Sequence, residues 1–223
     1  MSKANSLPTL AILGGTGKEG PGLALRWASA GYPILIGSRQ AEKAEATAAE
    51  LNAKLGKDCA RGLENSAAAR QADICILTVV ATAHQVALEG LKDALQGKIL
   101  VDATARVDFR DPHPPVAPSA ARAAQELLGP GVRVAAAYQN VPASALKKNL
   151  GEKMDLDVLV CADDVNAAQT VMQLTEAAGM NAYYAGDLDN ALIVEGLTAL
   201  LISINKHHGG HASIRVAGVE RAA

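Results

Sequence analysis

A chain of 223 residues with 49% hydrophobic content is long enough for one α/β domain, or for a dinucleotide-binding domain with a small appendix, and excludes a disordered chain. Its 21 basic and 23 acidic side chains leave a formal net charge of -2, with no basic run that would mark a nucleic-acid or membrane-surface partner. A small molecule is the expected partner.

At the start, Met1 to Pro8 has neither the charged nor the apolar region of a secretory leader, and nowhere does an apolar run reach the ~18 residues of a membrane span. Beyond it, short apolar runs alternate with longer Ala-rich stretches, the pattern of repeated βαβ units and a parallel sheet covered on both faces. Leu10 to Leu13 reads as the first strand, a glycine turn leads into a helix over Pro21 to Ala30, and Ile34 to Ile36 reads as the second strand. A helix over Ala41 to Leu55 precedes a short strand near Cys59 and a helix around Asn65 to Arg70. Ile74 to Val80, the most hydrophobic run, reads as a central strand. A helix from His84 to Leu95 and a strand over Lys98 to Asp102 follow. Four prolines between Asp111 and Pro118 forbid regular structure there. The remaining elements are a helix over Ala120 to Leu128, strands at Arg133 to Ala137, Asp157 to Cys161 and Asn181 to Tyr184, and an apolar helix from Ala191 to about Lys206. The expected architecture is a Rossmann-type, doubly wound parallel sheet of the α/β class. Residues 1–150 form the dinucleotide-binding domain, and residues 151–223 a smaller carboxyl-terminal part with the long apolar helix.

Directly after the first strand stands Gly15-Thr16-Gly17-Lys18-Glu19-Gly20, a GxGxxG in the strand-to-helix position that dinucleotide binding requires. Gly15 is read as permitting the tight turn, Gly17 as letting the backbone approach a pyrophosphate, and Gly20 as allowing close helix packing. Lys18 and Glu19 join the cofactor-binding set as members of the same loop. At the end of the second strand an NAD enzyme presents an acid to the ribose hydroxyl, whereas this chain presents Ser38 and Arg39, with Lys43 one turn later. Those groups suit a 2′-phosphate and therefore NADP. Val79, Val80 and Ala103, at the ends of later strands, are placed beside the nicotinamide, and His84 as a donor to its carboxamide or to a phosphate. Gln139, Asn140, Val141 and Pro142 follow another strand end and are expected to line the same crevice as the nicotinamide.

Chemistry is bounded as much by what is missing. Cys59, Cys75 and Cys161 have no CxxC spacing and an odd count, against a disulfide framework or zinc site and for a reducing cytoplasm. His207, His208 and His211 are interrupted by Gly209 and Gly210, and no nucleophile elbow or metal set is present. Hydride transfer between two coenzymes needs none of these, so no catalytic side chain and no metal are expected.

Leu13-Gly-Gly-Thr-Gly17, Gly37-Ser-Arg39, Glu42-Lys-Ala44, Leu77-Thr78, Asp157 through Asp164, and Leu192 through Leu201 leading to Ile214-Arg215 carry a resemblance over nearly the whole chain. The sequence resembles the NADP-dependent oxidoreductases of coenzyme F420, an 8-hydroxy-5-deazaflavin. The resemblance implies that Thr16, Ser38, Arg39 and Lys43 hold the 2′-phosphate and that Val79 and Val80 lie against the nicotinamide. It implies a deazaflavin beside Gln139 through Pro142, and a homodimer packed through the Ala191 helix. Gln139 stands where archaeal members carry His, and the Asp111 to Pro118 stretch differs from their loop. Two other functions therefore stay open: a reductase of a flavin or other small acceptor, and an NADP(H)-binding sensor without catalysis.

Overall fold

The computed structural model describes residues 7–219, so the first six residues of the stretch read as lacking a leader lie outside the described residues. Strands β1 (Leu10–Leu13), β4 (Ile74–Leu77) and β5 (Ile99–Asp102) are buried at every position. That is what parallel strands between two helical layers require. With β2 (Ile34–Ser38), β3 (Ala60–Glu64), β6 (Arg133–Ala136), β7 (Asp157–Ala162) and β8 (Asn181–Tyr184), they form one sheet in the order β3-β2-β1-β4-β5-β6-β7-β8. Strands β1 to β6 pair in parallel, β6 meets β7 antiparallel, and β7 pairs with β8 in parallel.

Alternation along the strands divides the core in two. Leu10 and Ile12 face a layer with Leu23, Trp27, Ala44, Leu51, Val171 and Leu174, contributed by α1 (Gly20–Ser29), α2 (Ala41–Leu55) and α6 (Val165–Ala177). Ala11 and Leu13 face a layer with Ala68, Leu88, Leu91, Ala124, Leu128 and Val194. Those come from α3 (Asn65–Gln71), α4 (His84–Leu95), α5 (Ala120–Leu128) and α7 (Ala191–His208). The sheet is doubly wound. The chain reverses its progress across the sheet between β1 and β4, the place where such folds open a ligand crevice at the carboxyl ends of the strands.

Three elements differ from the sequence reading. The strand expected to run to Val80 stops at Leu77, because its neighbours end at Leu13 and Asp102, and of the later amides only that of Thr78 still reaches a neighbouring strand, at the Leu13 carbonyl. Thr78 to Val80 form a loop, and a 3-10 turn at Ala81–Ala83 leads into α4. Helix α6 has no counterpart in the sequence reading, although Asp164 caps it by accepting from the Ala167 amide at 3.0 Å. Helix α7 has 18 residues but is not apolar all round: it buries Glu195 while Ile193, Leu200 and Ile204 stay exposed in the single chain. Nor does it end the chain, since the following residues return to β7, where the Asp157 amide donates to the Ile214 carbonyl at 2.8 Å.

The irregular stretch between β6 and β7 is tied to α1 and to the end of α6 by a buried cation. Arg26, on α1 and 4% exposed, donates to the carbonyls of Leu146 at 3.0 Å, Lys148 at 2.7 Å, Glu152 at 3.3 Å and Ala178 at 3.3 Å. Replacing it strands those carbonyls, and charged hydrogen bonds contribute about 1.5 to 3 kcal/mol each. Arg26→Met is expected to cost roughly 3 kcal/mol or more and to lower Tm by about 6 to 12 °C in calorimetry at neutral pH.

Candidate dinucleotide and acceptor site

The turn after β1 is made by Gly14, whose φ is +71°, not by Gly15 as the motif position suggested. A side chain on Gly14 would also lie 2.6 Å from Val79 Cγ1. Gly15 is required for another reason: its Cβ would sit 2.5 Å from the Ile12 carbonyl oxygen. At Gly20 a Cβ would lie 2.7 Å from Gly15 Cα and 2.8 Å from Thr78 Oγ1, so helix α1 can begin hard against β4 only without one. Gly17 is exposed, and its nearest neighbours to a Cβ are 3.8 Å away, leaving its backbone approachable from outside. Asn65 fixes the turn by accepting from the Gly14 amide at 3.0 Å, and the Gly15 amide donates to the Gly37 carbonyl at 2.9 Å. The amides of Thr16 and Lys18 have no partner among the described residues, next to the positive end of α1.

At the end of β2, Ser38 is buried and its Oγ accepts from the Gln40 amide at 3.2 Å. Arg39 and Lys43 are both exposed, and neither is in an ion pair among the described residues. Two uncommitted cations and a hydroxyl thus flank the end of the strand neighbouring the glycine turn.

Beyond β4, Val79 is half-buried against Gly14 and Val80 is 70% exposed, an apolar surface at the mouth of the crevice. Ala103 is buried, its amide on the Leu77 carbonyl at 3.1 Å. His84, read as a donor to the coenzyme, is buried with Nε2 2.7 Å from Asp102 Oδ2.

The segment after β6 is buried and polar. Tyr138 takes the left-handed conformation at φ +77°, packs edge-on to Trp27 with ring centroids 5.7 Å apart, and shares a hydrogen bond of 2.8 Å with Thr175. Gln139 donates to the Asp102 carbonyl at 2.9 Å. Asn140 donates to the Val194 carbonyl and to Thr198 Oγ1, both at 3.0 Å. Val141 is buried and Pro142 half-buried. Gln139 Oε1, Asn140 Oδ1 and Thr104 Oγ1 are buried with hydrogen-bonding capacity unused among the described residues. Buried polar atoms are ordinarily satisfied, so three such atoms at the heads of β5 and β6 fit a polar ring ligand. The sequence reading missed Asn65, Asp102, Thr104 and Thr198. For Asp102 the signal was available, since it closes an apolar strand.

Burial pushes the Cys75 thiol up to about 12 and the Cys161 thiol to about 11, which keeps both protonated and unreactive. No group of three or more metal-ligating side chains is assembled among the described residues. A hollow lined by Tyr32, Lys57, Cys59 and Arg61 sits at the opposite, amino-terminal edge of the sheet, away from the glycine turn and from Ser38 and Arg39.

Residues 9–106 match the model of a family described as NADP oxidoreductase, coenzyme F420-dependent. The F420-dependent NADP reductase of Methanothermobacter thermautotrophicus is 39% identical over 218 residues, spanning 93% of this chain and 94% of that protein. The chain belongs to the F420-dependent NADP reductase family. The member from Methanocaldococcus jannaschii is 37% identical over 95% of this chain and 99% of its own length. A solved structure from Arthrobacter sp. FB24, 24% identical, superposes with a TM-score of 0.77 over 94% of this chain and 100% of that one, which shows the shared fold.

One feature of this family member is electrostatic. Glu19 stands at the amino end of α1, directly after the glycine loop, without a side-chain capping bond, and burial pushes its carboxyl from the ordinary 4.5 up to about 8, with Oε1 unpartnered among the described residues. Its charge is also among the influences that, after burial, raise the Tyr138 hydroxyl. A raised folded value for an acid means that the protein is stabilised below the unfolded value and loses that stability as pH rises toward the folded value. Glu19→Gln is expected to match the wild-type Tm near pH 4.5. Its Tm should exceed wild type by a growing margin up to about pH 8, in a thermal series across that range.

Proposed function

We propose that this chain transfers hydride between NADP(H) and coenzyme F420, with Thr16, Ser38, Arg39 and Lys43 on the 2′-phosphate. The observation that carries the NADP half is the exposed, unpaired pair Arg39 and Lys43 at the end of β2, where no acid stands. The loop from Gly15 through Glu19 receives the pyrophosphate on its free amides, and Val79, Val80 and Ala103 form the apolar seat of the nicotinamide. The acceptor half is supported by the F420-dependent activity of the archaeal relatives and by the unspent polar atoms of Gln139 and Asn140. On this reading Gln139, Asn140, Val141 and Pro142 orient the acceptor ring, and the part from residue 151 onward closes the cleft over it.

The two coenzymes supply the redox chemistry when bound. The chain supplies placement: it holds two flat rings in register and keeps water from between them, which needs no general acid, nucleophile or metal from the protein.

Partner and location belong to the same proposal. No helix among the described residues is long and apolar enough to cross a membrane, and the three thiols are unpaired, which supports a reducing cytoplasm. Ile193, Leu200 and Ile204 on α7, with Val116 among the exposed apolar residues of the proline-rich stretch, form the face that packs on a second copy. Light scattering at micromolar concentration is expected to return twice 22.9 kDa, and a monomer mass would remove the dimer.

The function is tested by mixing the protein with NADPH and F420 and following the deazaflavin absorbance. Turnover with F420 is expected. Turnover only with a flavin or a small carbonyl compound would reassign the acceptor, and tight NADPH binding with no acceptor at all would leave a sensor. In the same assay Arg39→Ala should weaken NADPH about ten- to a hundredfold with NADH nearly unchanged, because NADH lacks the phosphate that the guanidinium pairs with. Equal weakening of both would withdraw the NADP preference.

A further inference from the structure

The coenzyme-binding reading leaves the buried carboxyl of Asp102 unused. Asp102 closes β5 and is wholly inaccessible to solvent. One carboxylate oxygen lies 2.7 Å from His84 Nε2, and the other accepts from the Thr104 amide at 2.9 Å. Its main-chain carbonyl accepts from Gln139 Nε2 at 2.9 Å and from the Ala137 amide at 3.3 Å. Three separate segments converge on this residue. His84 ends the Val79–Ala83 loop, Thr104 begins the stretch after β5, and Gln139 belongs to the acceptor segment. Thr198 continues the chain of contacts by donating to the Gln139 carbonyl at 3.0 Å.

A carboxylate and an imidazole removed from water at a strand end would be more cheaply replaced by apolar side chains if they served packing alone. Their position suggests a different use. The loop before His84 is the seat assigned to the nicotinamide, and Gln139 is assigned to the acceptor ring, so Asp102 stands between the two halves of the crevice. We propose that Asp102 and His84 are a positioning pair that fixes the nicotinamide seat relative to the acceptor segment and thereby sets the hydride-transfer distance. The inference rests on the NADP(H)–F420 reading given above. Neither residue needs to touch a coenzyme. As carboxylate, Asp102 holds the ring hydrogen on His84 Nε2, which locks the first residue of α4 and with it the loop that precedes it. A displacement of about 1 Å between reacting groups costs about a hundredfold in rate, so a small loss of order here is magnified in the chemistry and not in the anchoring of the adenine end.

Asp102→Asn keeps the shape and the Thr104 contact but turns an amide toward His84 Nε2–H. The variant and the wild type are compared by titration with 2′,5′-ADP, which carries only the adenine half, by titration with NADPH, and by single-turnover reduction of F420. The expected result is a 2′,5′-ADP affinity within about twofold of wild type, NADPH weaker by about tenfold, and a hydride step slower by ten- to a hundredfold. His84→Ala should behave alike, and His84→Gln, whose amide can still donate to Asp102, should recover most of the loss. Equal weakening of 2′,5′-ADP and NADPH would show a general packing role and overturn the proposal, as would unchanged NADPH affinity and rate. A wild-type protein that binds NADPH yet reduces no F420 would sink the acceptor reading alone, because the two affinities still decide whether the pair seats the nicotinamide.

Discussion

Close approach of two backbones, at Gly14 to Gly20 on one side and Thr78 to Val79 on the other, is the constraint on which the crevice depends. Gly14, Gly15 and Gly20 each occupy a place where a methyl group would collide with a neighbour. Because none carries one, α1 starts immediately behind β1 and turns its free amides outward at the switch between β1 and β4. Everything that follows is arranged around that point. The ends of β2, β4, β5 and β6 deliver, in turn, two cations, an apolar surface, a buried carboxylate and a pair of carboxamides to the same edge of the sheet.

The layers behind this edge mix small and large residues. Ala24, Ala44, Ala68, Ala124 and Ala167, on α1, α2, α3, α5 and α6, are wholly buried and let those helices lie close to the sheet, while leucines fill the space between. Trp27 and Tyr138 are the largest side chains fully buried there, and they meet where the segment after β6 begins. The left-handed backbone at Tyr138 turns that segment, while the ring and its hydrogen bond to Thr175 hold the strain in place.

How much of this could be read from the sequence varied with the range of the signal. Strand β1, the glycine loop and Arg39 are local patterns of a few adjacent residues, and the structure places them at one strand edge. Helix α6 escaped although Asp164 and Gly179 mark its ends, signals that lie in the sequence itself. The turn glycine was misassigned by one position because the motif specifies spacing but not which φ is positive. Burial of Glu19 and the convergence on Asp102 depend on residues up to 37 apart in sequence, as the Gln139–Asp102 bond shows, and no local pattern records them. The end of β4 is of the same kind: it is set by where β1 and β5 stop, not by hydropathy.

The return of residues 214–216 to β7 bears on how that strand is secured. The Asp157 amide donates to the Ile214 carbonyl, and the Val216 amide donates to the Asp157 carboxylate. Arg215 lies against both Asp155 and Asp157. Strands β1 to β6 pair among themselves within residues 10–136, whereas the first residue of β7 is gripped from two directions, by β8 and by the segment that follows α7. That segment acts as a clasp: it ties the far end of the sheet to the helix that lies across it, so α7 and β7 are held as one piece.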